Sequence, residues 1–594
     1  RREFACSIRT SDPRRQRRQV NVAHDSQDLL MNSAYWLKTA WMTACAAEAG
    51  AFARVTRDVR GIQRRILQRT LRRNEDTVYG RKHRFNRIRS IEQYRESVPV
   101  MTPNSLHEFV DRIAAGESRV LTFDKVNLLE PTSGSTAAEK LIPYTHTLRR
   151  QFQRAVAAWI YDTMKNIPGA RAGRAYWSIS PPAQRARRTV GGVPVGFADD
   201  REYLSTFERW AVSRLLITPR EVCELRSMEN ARYVTLLLML ASRDLSLISV
   251  WSPTYLTSLL STIEKHIDAI CHDLRAGRVR LPHPSQEPTS IEFTLRPNPS
   301  RADELRQLFA GSTLSADRFS ACWPQLALVS CWADASSAMY ASQVQALLPQ
   351  ATLQPKGLLA TEGVVSFPHV QTGANVLAIR SHFFEFAEAR RDGSFTKNFL
   401  LADELEAGQR YRVFLTTGGG LYRYDLGDEV EVSGFHHACP LLRFVGRAGA
   451  SSDLVGEKLN ESHVRQSVER ACADVGLQFN FALLAPGRGT PARYRLYLEC
   501  DSLDGTVHGP ELADRLERLI RDNPQYDLAV QLGQLLPLEV CFVGPGAWER
   551  YQKVCLERNQ SWGDIKPQML DDWTGWEDVF AEAKEQAASF VSNC

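Results

Sequence analysis

Apolar residues recur at helical spacing early in the chain and at strand-like spacing further on, and this change of period divides the sequence. Ile62, Ile66, Leu67 and Leu71 fall on one helical face with arginines between them, so residues 35–100 read as Arg-rich helices. Thr102-Pro103-Asn104 opens another short helix. Residues 119–129 alternate enough to be a strand, and 140–143 read as extended. Thr145 is placed to cap a helix through 148–164. Apolar runs at 326–330, 357–360, 376–379 and 411–416 read as short strands set between helices, an alternation that favours an α/β fold.

From Pro440 the pattern changes. Runs at 479–484, 494–499 and 538–543 alternate with helices such as 511–521, which predicts a separate α+β domain of ordinary size. The expected organisation is an Arg-rich, disordered extension over 1–30, then a large N-terminal domain of mixed sheets and flanking helices over 31–445. A smaller, mobile C-terminal α+β domain follows over 446–594. The extension carries seven arginines and almost no large apolar residue before Leu29, too little to bury a core.

Composition narrows the class. With 594 residues, 43% hydrophobic and 24% charged, the chain is an ordinary globular one. A net charge of +6 over this length is no nucleic-acid signature. The longest apolar run, 233–242, is about half of a membrane span, and Arg243-Asp244 ends it. Lys38 and Glu48 interrupt residues 31–50, which read as an amphipathic helix and not a secretion leader. Twelve scattered cysteines without a CxxC pair suit neither a disulfide scaffold nor zinc, so reduced thiols in the cytoplasm are expected. His436-His437 has no carboxylate or cysteine at ligand spacing and reads as a surface pair.

Residues 130–144, EPTSGSTAAEKLIPY, are the first candidate for chemistry. The spacing fits neither a Walker loop, which needs Gly-Lys-Ser/Thr opening a helix, nor GxGxxG. What remains is a hydroxyl-rich turn between two extended pieces, ending in Lys140. Backbone N–H groups and the hydroxyls of Thr132, Ser133, Ser135 and Thr136, around Gly134, can donate to phosphate oxygens. From composition alone, a surface Ser/Thr turn is an equal reading.

TSGSTAAEK resembles the (S/T)SG(S/T)TGxPK loop of adenylate-forming enzymes of the firefly-luciferase type. EPTSGST…KLIPYT is closer to one branch, the Gretchen Hagen or auxin-responsive family of acyl acid amido synthetases. LVSCWAD (328–334), KGLLATEGVVSFP (356–368), TTGGGLYRYDLGDEVEVSGF (416–435) and LLRFVGRAGASSDLVGEKLNESHV (441–464) carry the same resemblance in the same order, over most of residues 60–570. Ala137 and Glu139 depart from the pattern, standing where relatives have Gly and often Pro.

The resemblance implies ATP and Mg²⁺ as cofactors, with carboxylic acid and amine substrates, the amine being an amino acid. It places the triphosphate on 132–136, with Lys140 at the loop's far end as a catalytic residue. Thr361 falls beside the α-phosphate, Glu362 at the metal, and Asp428 on both ribose hydroxyls. Tyr422 and Tyr424 pack around the nucleotide or in the core, and Asp425 is a turn or solvated carboxylate. Gly446-Arg447 marks the inter-domain hinge, although Gly449 stands where many relatives have an acidic residue. Lys566, in WGDIKP, is the C-terminal lysine that neutralises the α-phosphate, with Lys458 as a competitor. Trp251 and Tyr255 line an acyl pocket or belong to the core. The expected activity is adenylation of a carboxylic acid followed by transfer to an amine. An acyl-CoA ligase and a catalytically silent relative remain as alternatives.

Overall fold

The computed structural model describes residues 18–22, 27–131, 140–178, 187–196, 214–287, 291–309, 311, 314–390, 394–447, 451–452, 454–455, 457, 459–500, 505–558, 560 and 565–580. The first helices follow their periodicity. In Val59–Arg73 the apolar face of Ile62, Ile66, Leu67 and Leu71 is buried, and the Asp58 side chain caps the helix at Gly61 N. Thr102 and Ser105 exchange side-chain and backbone hydrogen bonds at the start of Pro103–Ala114, satisfying donors that the helix leaves open. Thr145 Oγ1 accepts from Leu148 N at 3.1 Å and so starts the helix His146–Asn166.

Two strand expectations are corrected. Only Val126–Pro131 of 119–129 is a strand. Before it, Val120 and Leu121 are neighbours and both buried, which a pleated strand with one wet face cannot provide. The chain instead turns through Arg119 at φ 55°, and the carbonyls of Arg119 and Val120 accept from Val78 N and Tyr79 N. Likewise 357–360 is not one strand. The strand is Thr352–Pro355, and the chain then turns at Gly357, φ 72°, where a Cβ would lie 2.5 Å from Ser366 O. Beyond the turn, Leu359–Ala360 pairs with Gly363–Val364 in a tight hairpin.

Two sheets organise the larger part. One is parallel, in the order Thr352–Pro355, Leu328–Cys331, Leu245–Ser249, Arg174–Trp177. The helix Met228–Ala241 carries the longest apolar run, and its side chains from Tyr233 to Ala241 are all buried, which explains a run with no polar stripe. The other sheet has seven strands and is antiparallel. Its centre is Tyr424–His436, paired with Arg410–Thr416 on one side and Cys439–Arg447 on the other.

A third sheet joins Phe479–Gly487, Ala492–Cys500 and Leu535–Phe542. Alternation in its first strand divides two cores. Phe481, Leu483 and Ala485 pack with Tyr551 and Trp576, whereas Ala482 and Leu484 pack with Val464, Leu512 and Leu516. Trp548, on the helix Ala547–Glu557, meets Tyr340 of the larger part at 5.5 Å between ring centroids. No helix among the described residues is long and apolar enough to cross a membrane.

Candidate active site

The hairpin Leu359–Ala360/Gly363–Val364 leaves Thr361 and Glu362 as its two-residue apex, so this stretch of sequence becomes a projection carrying one carboxylate. Its base is held from behind. His382 is fully buried, and its Nε2 accepts from Val364 N at 3.1 Å. A Cβ on residue 363 would come 2.8 Å from that nitrogen, so glycine is needed for the contact. Burial lowers the His382 pKa to about 3 and keeps the ring a neutral acceptor.

Glu362 is almost fully buried at 4% exposure. Burial raises its pKa; Arg447 and Lys140 oppose the rise and Asp428 adds to it. Burial raises the Tyr424 pKa, and the neighbouring Glu362 carboxylate adds to the rise. Lys140, half-buried just ahead of the strand Leu141–Thr145, has its pKa lowered by burial and by Arg447, with Glu362 pulling the other way.

Asp428 owes its position to a bulge. Arg412 pairs with Glu429 and Phe414 with Asp425, so residues 426–428 bulge opposite Val413, with Gly427 at φ 82°. Bulges of this kind re-aim a side chain. Asp428 lies opposite Arg447 in the next strand, with Arg447 Nε 3.9 Å from its Oδ1. Burial raises the Asp428 pKa, opposed by Arg447 first and Lys566 second. Asp425 differs. Arg412 holds it by two hydrogen bonds of 2.7 and 2.9 Å, and it accepts from Gly427 N. It therefore secures the bulge, as a turn carboxylate that is paired and not solvated.

Lys566 comes from the C-terminal part and sits with its Nζ 4.8 Å above the Trp332 ring. Its backbone carbonyl accepts from Tyr551 OH at 3.3 Å. Lys140, Glu362, Tyr424, Asp428, Arg447 and Lys566 thus form one electrostatically linked group, and Thr361 shares the apex with Glu362. Tyr422 is elsewhere. It stacks on Tyr79 at 4.9 Å and donates to Leu121 O, so of the two tyrosines it is the core residue. Thr132, Ser133, Gly134, Ser135 and Thr136, with Ala137, Glu139, Gly449 and Lys458, lie outside the described residues. A cavity of about 530 Å³ reaches Pro567–Met569 from Tyr340 and Cys472, but includes none of Lys140, Glu362 or Asp428.

Several supports were not evident in the sequence. The glycines of TTGGGL allow close approach: a Cβ at 418 would lie 2.3 Å from Thr147 Cγ2, and one at 419 would lie 2.9 Å from Pro143 O. Arg423, at φ 48°, is buried and donates to Glu385 and to the carbonyls of Arg95 and Val98, fixing the start of the strand that carries Tyr424. The triple glycine was a legible signal. Arg423 and His382 gave none, because their partners are far away in sequence.

Fold and site define a protein with a large α/β part, a smaller C-terminal part and a charged cluster to which both contribute. Models of the GH3 family N-terminal domain, central domain and C-terminal domain match residues 48–353, 375–447 and 462–573. The chain belongs to the GH3 family. It is 26% identical to the probable indole-3-acetic acid-amido synthetase GH3.12 of Oryza sativa subsp. japonica, over 71% of this chain and 74% of that protein. It is 25% identical to the indole-3-acetic acid-amido synthetase GH3.10 of Arabidopsis thaliana, over 85% and 92%. The fold matches that of a solved GH3.15 acyl acid amido synthetase with a TM-score of 0.75 at 20% identity, covering 90% of this chain and 96% of that one. The same protein in complex with 2,4-DB matches with a TM-score of 0.76.

Proposed function

We propose that this chain is an ATP-dependent acyl acid amido synthetase, joining a carboxylic acid to an amine such as that of an amino acid. Family membership gives the class. The observation that carries the reading to this chain is the meeting of Lys140, Glu362, Tyr424, Asp428 and Arg447 with Lys566 from the C-terminal part.

A carboxylate is a poor electrophile, so its oxygen first attacks the α-phosphorus of ATP, and pyrophosphate leaves. The amine then attacks the carbonyl of the acyl-adenylate, AMP leaves, and the amine's proton passes to solvent. Such transfer depends on placing the partners and neutralising charge. Asp428 has two oxygens for the two ribose hydroxyls. Lys566 and Arg447 bring positive charge to the α-phosphate, and Lys140, half-buried just ahead of the strand Leu141–Thr145, adds positive charge for the triphosphate. Swinging of the C-terminal part, about a hinge at Gly446-Arg447, would shelter the adenylate from water between the two steps.

The residues fit Mg²⁺. No group of three or more His, Cys, Asp or Glu able to hold a metal is present among the described residues, so these offer no closed cage. One buried carboxylate, Glu362, sharing the ion with phosphate oxygens is the arrangement Mg²⁺ favours. When bound, the ion screens the charge of the triphosphate. A cytoplasmic setting is supported by the scatter of the cysteines along the sequence without a CxxC pair.

Pyrophosphate exchange into ATP, run over carboxylic acids that include indole-3-acetate and 2,4-DB, tests the first step. Exchange with at least one acid, followed by an amide on adding amino acids, is expected. ATP binding without exchange for any acid would mark a silent relative, and a thioester formed with coenzyme A would mark the acyl-CoA ligase chemistry.

A further inference from the structure

Behind the hairpin that carries Glu362, four arginines converge from two helices and a turn. Arg150 and Arg154 stand one turn apart on the helix His146–Asn166 and so share a face. Arg69 lies on the helix Val59–Arg73, and Arg380 in the turn between the strands Ala374–Leu377 and Phe383–Ala389. That turn is pinned to the helix of Arg69. Gln63 Nε2 donates to the carbonyls of Ile379 and His382, both at 2.8 Å, and Phe384 N donates to Gln63 Oε1 at 2.8 Å. Adenylation as described uses none of the four arginines.

Arg154 is the centre of the group. It is half-buried, and its only side-chain hydrogen bond among the described residues runs from Nη1 to Arg380 O at 3.3 Å. Arg380 turns its own guanidinium to Glu48 on the helix Gln27–Val55, donating through Nε and Nη2. Arg69 and Arg150 are exposed and form no ion pair among the described residues. Burial lowers the Arg154 pKa; Glu48 opposes the fall, and Arg380, Arg69 and Arg150 add to it. Four guanidiniums thus gather around one carboxylate, which Arg380 already engages. Like charges drawn this close repel, and an added anion relieves them.

We propose that Arg69, Arg150, Arg154 and Arg380 form a binding site for a small anion bearing several phosphate groups, apart from the nucleotide site. A guanidinium presents parallel N–H donors that match two oxygens of one phosphate. A carboxylate satisfies one such fork, as Glu48 does at Arg380. The forks of Arg69, Arg150 and Arg154 need more oxygens and more charge than one carboxylate holds, and linked phosphate groups supply both. Half-buried Arg154 forms the floor, and the two exposed arginines form the rim. Because Gln63 fixes the turn of Arg380 without a ligand, little ordering remains to oppose binding. A nucleic-acid strand would call for a basic stripe, whereas these cations surround one centre.

The site does not depend on the adenylating reading, and binding alone tests it. Inorganic tripolyphosphate is titrated into the full chain by calorimetry without Mg²⁺. The double variant Arg69→Ala/Arg150→Ala, changed only at exposed positions, is expected to lose one bound tripolyphosphate per chain or to hold it at least about tenfold more weakly. Lys140→Ala, on the nucleotide side, should leave that binding in place. Thermal melts give a second readout. Tripolyphosphate should raise the Tm of the natural protein and not that of Arg154→Met, which without the anion should melt no lower than the natural protein. Binding lost in Lys140→Ala but kept in the double variant would place the anion in the nucleotide site and overturn the proposal. An equal rise in Tm from sodium chloride at matched ionic strength would reduce the effect to screening and overturn it as well. Tighter binding of single-stranded DNA than of tripolyphosphate, lost in the same double variant, would replace the small anion with a nucleic acid.

Discussion

The two sides of the site are built on opposite plans. Around Glu362 and Asp428 the protein buries carboxylates and surrounds them with Lys140, Arg447 and a tyrosine hydroxyl. Along the parallel strands it half-buries indoles and puts a lysine at their inner end. Both carboxylates are held above their usual pKa by burial, so each gains when hydroxyl donors or a cation arrive. The aromatic row, by contrast, offers ring faces with a lysine ammonium at each end. On the proposed function, the first side takes the nucleotide and the second takes the acid. Lys566, above Trp332 and electrostatically coupled to Asp428, stands where the two meet.

Asp428→Ala gives the largest effect and tests that division directly. Losing charged hydrogen bonds to a ligand costs about 1.5–3 kcal/mol, so the KM for ATP should rise by about one to two orders of magnitude. The KM for the acid should barely move. An unchanged KM for ATP would show that Asp428 does not hold the ribose. The reciprocal change is Trp251→Ala, expected to raise the KM of the acid about tenfold by removing one aromatic face, with that of ATP unaltered. If each variant moved both constants together, the two sides would not be separate.

Much of this plan was legible, and what was not has a physical reason. Residues near in sequence were readable: the Thr145 cap, the face of Ile62 and Ile66, and the proximity of Thr361 to Glu362 all depend on local geometry. Asp428 could be chosen over Asp425 only by resemblance. What separates them is a bulge against a strand beginning at Arg410 and the bidentate hold of Arg412, both set by tertiary pairing. Lys356 gave no signal, because a lysine after a short strand reads as a solvated residue until two distant tryptophans, Trp159 and Trp251, are placed beside it. The segment 119–125 misled for a similar reason, as its alternation was weaker than the demand to bury two adjacent residues.

His382 supports the nucleotide side without touching it, and pH reveals it. Its folded pKa, about 3, is below the ordinary value of 6.5. The unfolded chain therefore binds a proton that the folded chain refuses between those limits. The stability from neutral His382 is complete above pH 6.5 and is lost as pH falls toward 3, by about 1.4 kcal/mol per pH unit. His382→Gln keeps an acceptor for Val364 N but does not titrate. Denaturant melts from pH 7 to pH 4 should show the variant losing less stability than the natural protein. Parallel loss in both would mean that the ring is already protonated when folded. On the acid-binding side no such slope should follow from Trp251→Ala.

Tyr424→Phe has the smallest effect and bears on a single hydroxyl beside Glu362. The hydroxyl stands beside Glu362, whose charged form burial disfavours, and turned toward the carboxylate it would favour that form. Removing it leaves the ring packing in place and raises the Glu362 pKa further. The acidic limb of kcat/KM against pH should then move upward, since only the ionised carboxylate suits Mg²⁺. At pH 6 a loss of a few-fold is expected, in line with about 0.5–1.5 kcal/mol for one hydrogen bond, with nearly natural activity at pH 8. Higher Mg²⁺ should recover part of the loss at pH 6, because the ion competes with the proton for the same oxygen atoms. A deficit equal at both pH values and indifferent to Mg²⁺ would assign Tyr424 to packing alone. The contrast between a charged nucleotide side and an aromatic acid side would then rest on Asp428 and Lys566 without it.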